Sequence, residues 1–344
     1  ASDVYKRQAN DRARAARHLV RILVDGKTTD QTFGIDPQRL PSPLCQELVY
    51  GTLRYYFSLS QAVEQRLSKA LRSKDLDLRL LMLVGAYQLK YTRIPAHAAI
   101  NETVNACRLL RKPWAKSLVN AVLRSISSEA EFENSINTER SFELPEWISS
   151  RLRAAYPKQA ENTMAALLER APMSLRVNTR RTTTADYTAT LDKAGIGWFP
   201  GLREEHLVLA QPRSAGDLPG YARGLVSIQD GGAQFAAPLL CGSQDAADGQ
   251  PRHILDACAA PGGKLFHLAQ NLPDATLTAI EVNSARLEHL VREAARLGHD
   301  GIRFATGDAT ELDWWDEQPF DLVLMDAPCS GVGTLRRHPD IKHL

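Results

Sequence analysis

The sequence predicts a multidomain chain: an all-α module, a small α+β module and an α/β module built on a parallel sheet. Three observations carry that reading. Apolar residues recur at three-to-four spacing across residues 10–128. A polar, patternless stretch follows at 129–143. From residue 253 onward, short apolar strands alternate with helices, the signature of βαβ units.

Residues 1–9 are set apart as a disordered or non-native N-terminus, because the chain begins without Met and shows no pattern there. Asn10 and Asp11 can cap a first helix carrying Ala15, Leu19, Ile22 and Leu23, with Gly26 past its end. Leu44 to Phe57, Leu59 to Leu71, Leu76 to Tyr91, Ala98 to Leu110 and Ser117 to Arg124 continue the helical module over 10–128. Pro95 and Pro113 punctuate it. Residues 129–143 read as a linker. In the α+β module, 144–224, helices are predicted near Pro145–Tyr156 and Lys158–Arg170. A strand at Ser174–Asn178, a helix stopped at Gly195 and a strand at His206–Leu209 follow.

The third module, 225–344, starts with a helix at Gly232–Leu240. Strands are predicted at His253–Asp256, Leu277–Val282, Ile302–Ala305 and Phe320–Met325, with a helix at Ser284–Leu297. In such sheets ligands sit beyond the carboxyl ends of the strands.

The bulk numbers narrow the function classes. The chain has 344 residues, 44% hydrophobic and 24% charged, ordinary for a soluble globular protein. No apolar run approaches the ~20 residues that cross a bilayer, and no secretory signal is visible, so no membrane role is expected. Five cysteines without a Cys-x-x-Cys pair, and nine scattered histidines, suggest neither a disulfide framework nor a metal site. A reducing cytoplasm is the expected compartment. Charge is lopsided: residues 1–130 carry a net +10 and the remainder −8, within an overall +2. A basic module on an acidic body points to a polyanionic partner.

The chemistry gathers at predicted strand ends. The first strand runs into Cys258, Ala259, Ala260, Pro261, Gly262, Gly263 and Lys264. Small residues there let backbone N–H groups approach a ligand at a helix N-terminus, which favours negative charge. The spacing is neither a Walker loop nor the dinucleotide glycine pattern. It resembles the loop that holds the methionine part of S-adenosylmethionine. Glu281, at the end of the second strand, can accept from ribose hydroxyls. Asp308, after the third, stands where a carboxylate commonly accepts from an adenine amino group.

The fourth strand ends in Asp326-Ala327-Pro328-Cys329. A carboxylate buried at an apolar strand tip needs a partner. Carbon 5 of cytosine is a poor nucleophile, and a thiolate adding to carbon 6 turns the ring into an enamine that can attack a sulfonium methyl group. On chemistry alone Cys329 is the candidate thiolate. Asp326 would hydrogen-bond the ring N3 and exocyclic amine. Exocyclic-amine methylases typically carry Asn/Asp-Pro-Pro-aromatic here, and Cys329 in place of the second proline points to carbon 5.

Asp256–Lys264 together with Asp326–Gly331 resemble the signature of the Sun-type RNA cytosine-C5 methyltransferases. Ile94–Glu102 and Leu118–Arg124 resemble the NusB-like RNA-binding domain of one branch, which methylates a cytosine of 16S rRNA. Leu175–Asn178, Val226–Asp230 and Arg336–Asp340 resemble further segments of that branch, so the likeness covers about residues 10–344.

The resemblance implies a Rossmann-like methyltransferase domain using S-adenosylmethionine, with 16S rRNA as partner; the oligomeric state is left open, with a monomer favoured. It implies that Cys258–Lys264 line the cofactor site, Glu281 meets the ribose and Asp308 the adenine, with Asp326 beside the reacting groups. Glu281 stands where the family usually has Asp. The resemblance also moves Cys329 from attacker to helper in releasing product. The attacking cysteine would follow a Thr on the next strand, yet no cysteine follows Cys329 before Leu344. A C-terminally truncated sequence is therefore expected. Two other readings stay open on the sequence: an RNA-binding, antitermination-like factor with an inert methyltransferase half, and a DNA cytosine-C5 methyltransferase.

Cys45 and Cys107, on apolar helix faces, are expected in the core. Cys241, at a helix end, is expected to be structural, and Cys258 to contribute its backbone rather than its thiol.

Overall fold

The computed structural model describes residues 2–34, 40–128, 142–242 and 252–344. The chain divides into two compact units: residues 1–171 with 330–344, and residues 172–329.

In the first unit, helices α1 (Ser2–Leu23), α2 (Thr29–Phe33), α3 (Pro43–Arg54), α4 (Tyr56–Glu64), α5 (Leu76–Tyr91), α6 (Ala96–Leu109) and α7 (Lys116–Ser128) share one core. α5 is its centre and is apolar nearly all round, with Leu78 and Leu80 through Gln88 buried. A helix with so broad an apolar surface must be covered on every side. α1 begins at Ser2, inside the segment set apart from the sequence, and Ala9 is already buried. Cys45 and Cys107 are in this core, and burial pushes their thiols up to about 12 and about 11.

The linker expected over 129–143 lies outside the described residues as far as 141. Glu143 is described and buried, and its carboxylate accepts from the N–H groups of Phe57 and Ser58 at the start of α4. Helices α8 (Glu146–Ala155) and α9 (Ala160–Leu168) group with this unit. So does the segment Ser330–Leu344: Asp340 accepts from Thr29 N at 2.9 Å, and Lys342 donates to the Arg54 and Glu143 carbonyls at 2.7 and 2.6 Å. Pattern changes in the sequence mark 143 and 224, whereas compactness divides the chain at 171 and 329.

The second unit holds two sheets. β1 (Met173–Val177), α10 (Thr184–Lys193), β2 (Trp198–Pro200), β3 (His206–Leu209) and β4 (Val226–Ile228) form an antiparallel sheet in the order β2-β3-β1-β4, with α10 packed on Leu175 and Val177. The three-residue strands β2 and β4 were not anticipated, and β4 joins the small sheet although its residues lie beyond the pattern change at 225.

After α11 (Ala236–Gly242) come β5 (His253–Asp256), α12 (Gly263–Asn271), β6 (Thr276–Glu281), α13 (Ser284–Leu297), β7 (Ile302–Thr306) and β8 (Leu322–Leu324). These four strands are all parallel, in the order β7-β6-β5-β8. Their core includes Ile254, Leu265, Leu268, Leu277 and Leu290. Asn283 caps α13 by accepting from Arg286 N, and Gly298 ends it in the left-handed region at φ 77°.

Among the described residues, no helix is long and apolar enough to cross a membrane.

Candidate active site

The parallel register brings the carboxyl ends of β5, β6, β7 and β8 to one edge of the sheet, and each sequence-predicted group lies at one of them. The loop after β5 is stitched to both neighbouring strands. Ala257 N donates to Leu324 O at 2.9 Å on the β8 side, and Ala259 N to Ile280 O at 3.0 Å on the β6 side. The Ala260–Pro261 peptide is cis, and Gly262 turns the chain into α12 at φ 100°. A side chain at Gly262 would run into Phe266 and Leu290, so the turn admits only glycine.

Asp256 closes β5 and is 1% exposed. Its Oδ1 accepts from Cys258 N at 3.3 Å. Burial drives its carboxyl up to about 7, and Asp326 adds to that while Cys258 N–H and Lys264 oppose it. The buried carboxylate of the site is thus Asp256. Asp326, expected buried at its strand tip, is 59% exposed in its side chain and ion-paired with Lys264. Among the described residues β8 pairs with β5, and the Asp326 side chain lies on the loop beyond it, reaching Lys264 at the start of α12.

Glu281 is buried at the end of β6, accepting from Asn283 N at 3.1 Å and lying 3.3 Å from Arg286 Nη1. Arg286 Nη2 also donates to Ala260 O at 2.8 Å, linking the β6 tip to the loop after β5. Asp308 is exposed beyond β7, and its Oδ1 accepts from Thr310 N and Oγ1 at 2.9 and 2.7 Å, which hold its carboxyl below the ordinary range. Gly307 N donates to Glu281 O at 3.3 Å, joining the third strand end to the second. Cys258 is half-buried, with burial and then Asp256 raising its thiol, whereas Cys329 is exposed. Cys241, at the end of α11, is half-buried.

Below this edge sits a buried polar network that the sequence reading missed. Arg176 of β1 is 2% exposed, bonded to Gln229 and donating to Gly263 O, the first residue of α12, at 2.7 Å. Burial lowers its guanidinium to about 9, so it stays charged at neutral pH. One turn along α12, the buried His267 lies 3.6 Å from Glu205. The sequence places Arg176 on a strand and gives it no partner. The signal that could have exposed it is that α12 must cover the second face of β1. Arg286 was also missed, although its place on the first turn of α13 puts it beside Glu281.

Comparison with known proteins follows the same three parts. Residues 9–128 match the NusB family, residues 144–215 the RsmF/B-like methyltransferase ferredoxin-like domain, and residues 246–344 the 16S rRNA methyltransferase RsmB/F family. Ribosomal RNA small subunit methyltransferase B of Pseudomonas syringae pv. tomato is 39% identical over 97% of this chain and 75% of its own length. The protein of the same name from Pseudomonas putida is 40% identical over 97% and 77%. The crystal structure of PH0851 superposes with a TM-score of 0.70 at 18% identity, covering 96% of this chain and 77% of that one, a likeness of fold. The chain therefore belongs to the RsmB/F family of 16S rRNA methyltransferases, S-adenosylmethionine-dependent enzymes that join a NusB-like helical module, a ferredoxin-like module and a parallel-sheet methyltransferase domain.

Proposed function

We propose that this chain serves methylation of carbon 5 of a cytosine in 16S rRNA, through a covalent cysteine–cytosine adduct. The supporting observation is the single sheet edge carrying the loop Cys258–Lys264, Glu281, Asp308 and the pair Asp326 and Cys329 on four adjacent strand ends. The donor set suits the cofactor. Its carboxylate fits the N-terminus of α12, its ribose diol fits Glu281, and its adenine amine fits Asp308.

When bound, S-adenosylmethionine supplies a methyl group made electrophilic by a sulfonium. Asp326 accepts from the cytosine exocyclic amine and holds the ring as charge develops on it. Lys264, ion-paired with Asp326, holds that carboxylate beside the start of α12. Arg286 holds Glu281 against the loop by bonding both. Cys329 assists release: the carbon 5 proton passes to water, the electrons of that C–H bond form the carbon 5–carbon 6 double bond, and the attacking sulfur departs from carbon 6 as a thiolate. The base must be unstacked to reach this edge. The attacking thiol is assigned to no residue of this sequence.

Titration calorimetry with S-adenosylmethionine tests the reading first, and binding in the micromolar range is expected. A folded sample that binds none would overturn it. With 5-fluorocytosine RNA, an adduct abolished by Cys329→Ala would return Cys329 to the attacking role.

A further inference from the structure

We infer that the corner formed by the α6–α7 turn and the turn before α5 is a binding surface for unpaired RNA, with Trp114 as its stacking platform. The inference rests on the proposed RNA substrate and gives it a contact far in sequence from the methyl-transfer edge.

Trp114 sits in the short turn between α6 and α7 and is 58% exposed, which is rare for so large an apolar ring. Its next-door neighbour Ala115 is fully buried, so the turn is anchored while the indole is displayed. The turn is fastened to the loop before α5 by Lys112, whose Nζ lies 3.0 Å from Asp75 and 2.5 Å from Asp77 and donates to Lys74 O at 2.6 Å. Asp75 also pairs with Arg72 at 3.6 Å. The two carboxylates and these two cations balance each other. Arg17, Lys74, Arg108, Arg111 and Lys116 then give the corner its net positive charge, and Arg17 reaches it by donating to Leu109 O.

The backbone of Arg111 supplies an independent indication. Lys112 N donates to Cys107 O at 2.9 Å and Arg111 N to Arg108 O at 3.0 Å, closing α6 in a Schellman motif. The position that motif gives to glycine is held by Arg111, at φ 60°. A strained conformation kept by a long cation beside an exposed indole is better explained by what the side chain meets than by the fold it closes.

Guanidinium groups and an indole face together suit phosphates and an unstacked base. Duplex RNA offers phosphates but no accessible base face.

The test is binding of the full chain to a fluorescent single-stranded RNA of about 12 nucleotides, and to its duplex, by anisotropy across a salt series. Trp114→Ala is expected to weaken single-strand binding about tenfold or more, while Trp114→Phe keeps most of it. Arg111→Gly is expected to leave the unfolding midpoint equal or higher and to lower the log affinity–log salt slope by about 0.7. Trp147→Ala, which removes another exposed tryptophan on α8, is expected to bind normally. Unchanged binding by Trp114→Ala, equal losses in Trp114→Ala and Trp147→Ala, or a preference for duplex would each overturn the inference. An acidic protein that competes for the surface while RNA does not bind would do the same. Calorimetry with S-adenosylmethionine on Trp114→Ala separates the two readings, since cofactor binding should be intact.

Discussion

Two cations meet the start of α12 and live in opposite surroundings. Arg176 reaches Gly263 from a site closed to water, held by Gln229, with burial weakening the guanidinium's hold on its proton without removing the charge at neutral pH. Lys264, the next residue along, extends to Asp326 at the open edge of the sheet with a quarter of its side chain exposed. A buried cation that has satisfied its neighbours is architecture, because removing it strands acceptors that water cannot reach. A half-open ion pair contributes little to stability and can be rearranged when a ligand arrives. The same helix start is thus braced by one cation and made responsive by the other.

The largest effect should come from Arg176. Arg176→Met strands the buried Gln229 Oε1 and removes the bond to Gly263 O, and is expected to cost about 3 kcal/mol in urea unfolding followed by tryptophan fluorescence. Arg176→Lys should recover part of it. A midpoint equal to the parent's would erase the contrast.

Asp256 comes next, as the carboxyl group buried at the same loop. Folded, it keeps its proton up to about pH 7, whereas the unfolded chain releases it near the ordinary carboxylate value. Between those values the folded chain binds more protons, so stability falls as pH rises, at most by about 1.4 kcal/mol per pH unit. Asp256→Asn removes that dependence. Its stability relative to the parent should climb from about pH 4 to pH 7 and stay level above. A difference that does not vary with pH would show that Asp256 ionises freely in the fold.

The smallest effect on stability belongs to Lys264. Lys264→Ala should shift unfolding by less than about 0.5 kcal/mol and still weaken S-adenosylmethionine binding roughly tenfold, as expected for one charge-assisted hydrogen bond. A stability loss matching that of Arg176→Met would make the two cations alike.

Much of the fold was legible because periodicity records which faces are buried. α13 runs over the residues its apolar spacing predicts, and β3 likewise. β2 and β4 were not legible, because three residues are too few to show alternation and Pro200 disguises one of them. The strand-end groups were legible from spacing and chemistry. Asp326 was misread as buried because an apolar strand does not record how its last polar residue leaves the sheet, here toward Lys264. Arg176 escaped for the opposite reason. Simple alternation would leave one face of β1 to solvent, yet Ser174 and Arg176 are also buried, at 6% and 2% exposure beside Leu175 and Val177 at 0%.

The way the small sheet grips its neighbour bears on how such chains can be recombined. Asn178 donates to Leu297 O at 3.2 Å, Gln270 to Val177 O at 3.1 Å, and Arg296 to Val226 O at 3.2 Å, beside the Arg176–Gly263 bond. The ferredoxin-like and methyltransferase parts, though separate in sequence, share one set of buried donors and acceptors. A chimaera that exchanged either part with a distant homologue would have to carry the matching half of that set, and a cut between them would leave both fragments with orphaned polar groups. For inheritance and for engineering alike, residues 172–329 behave as a single exchangeable block.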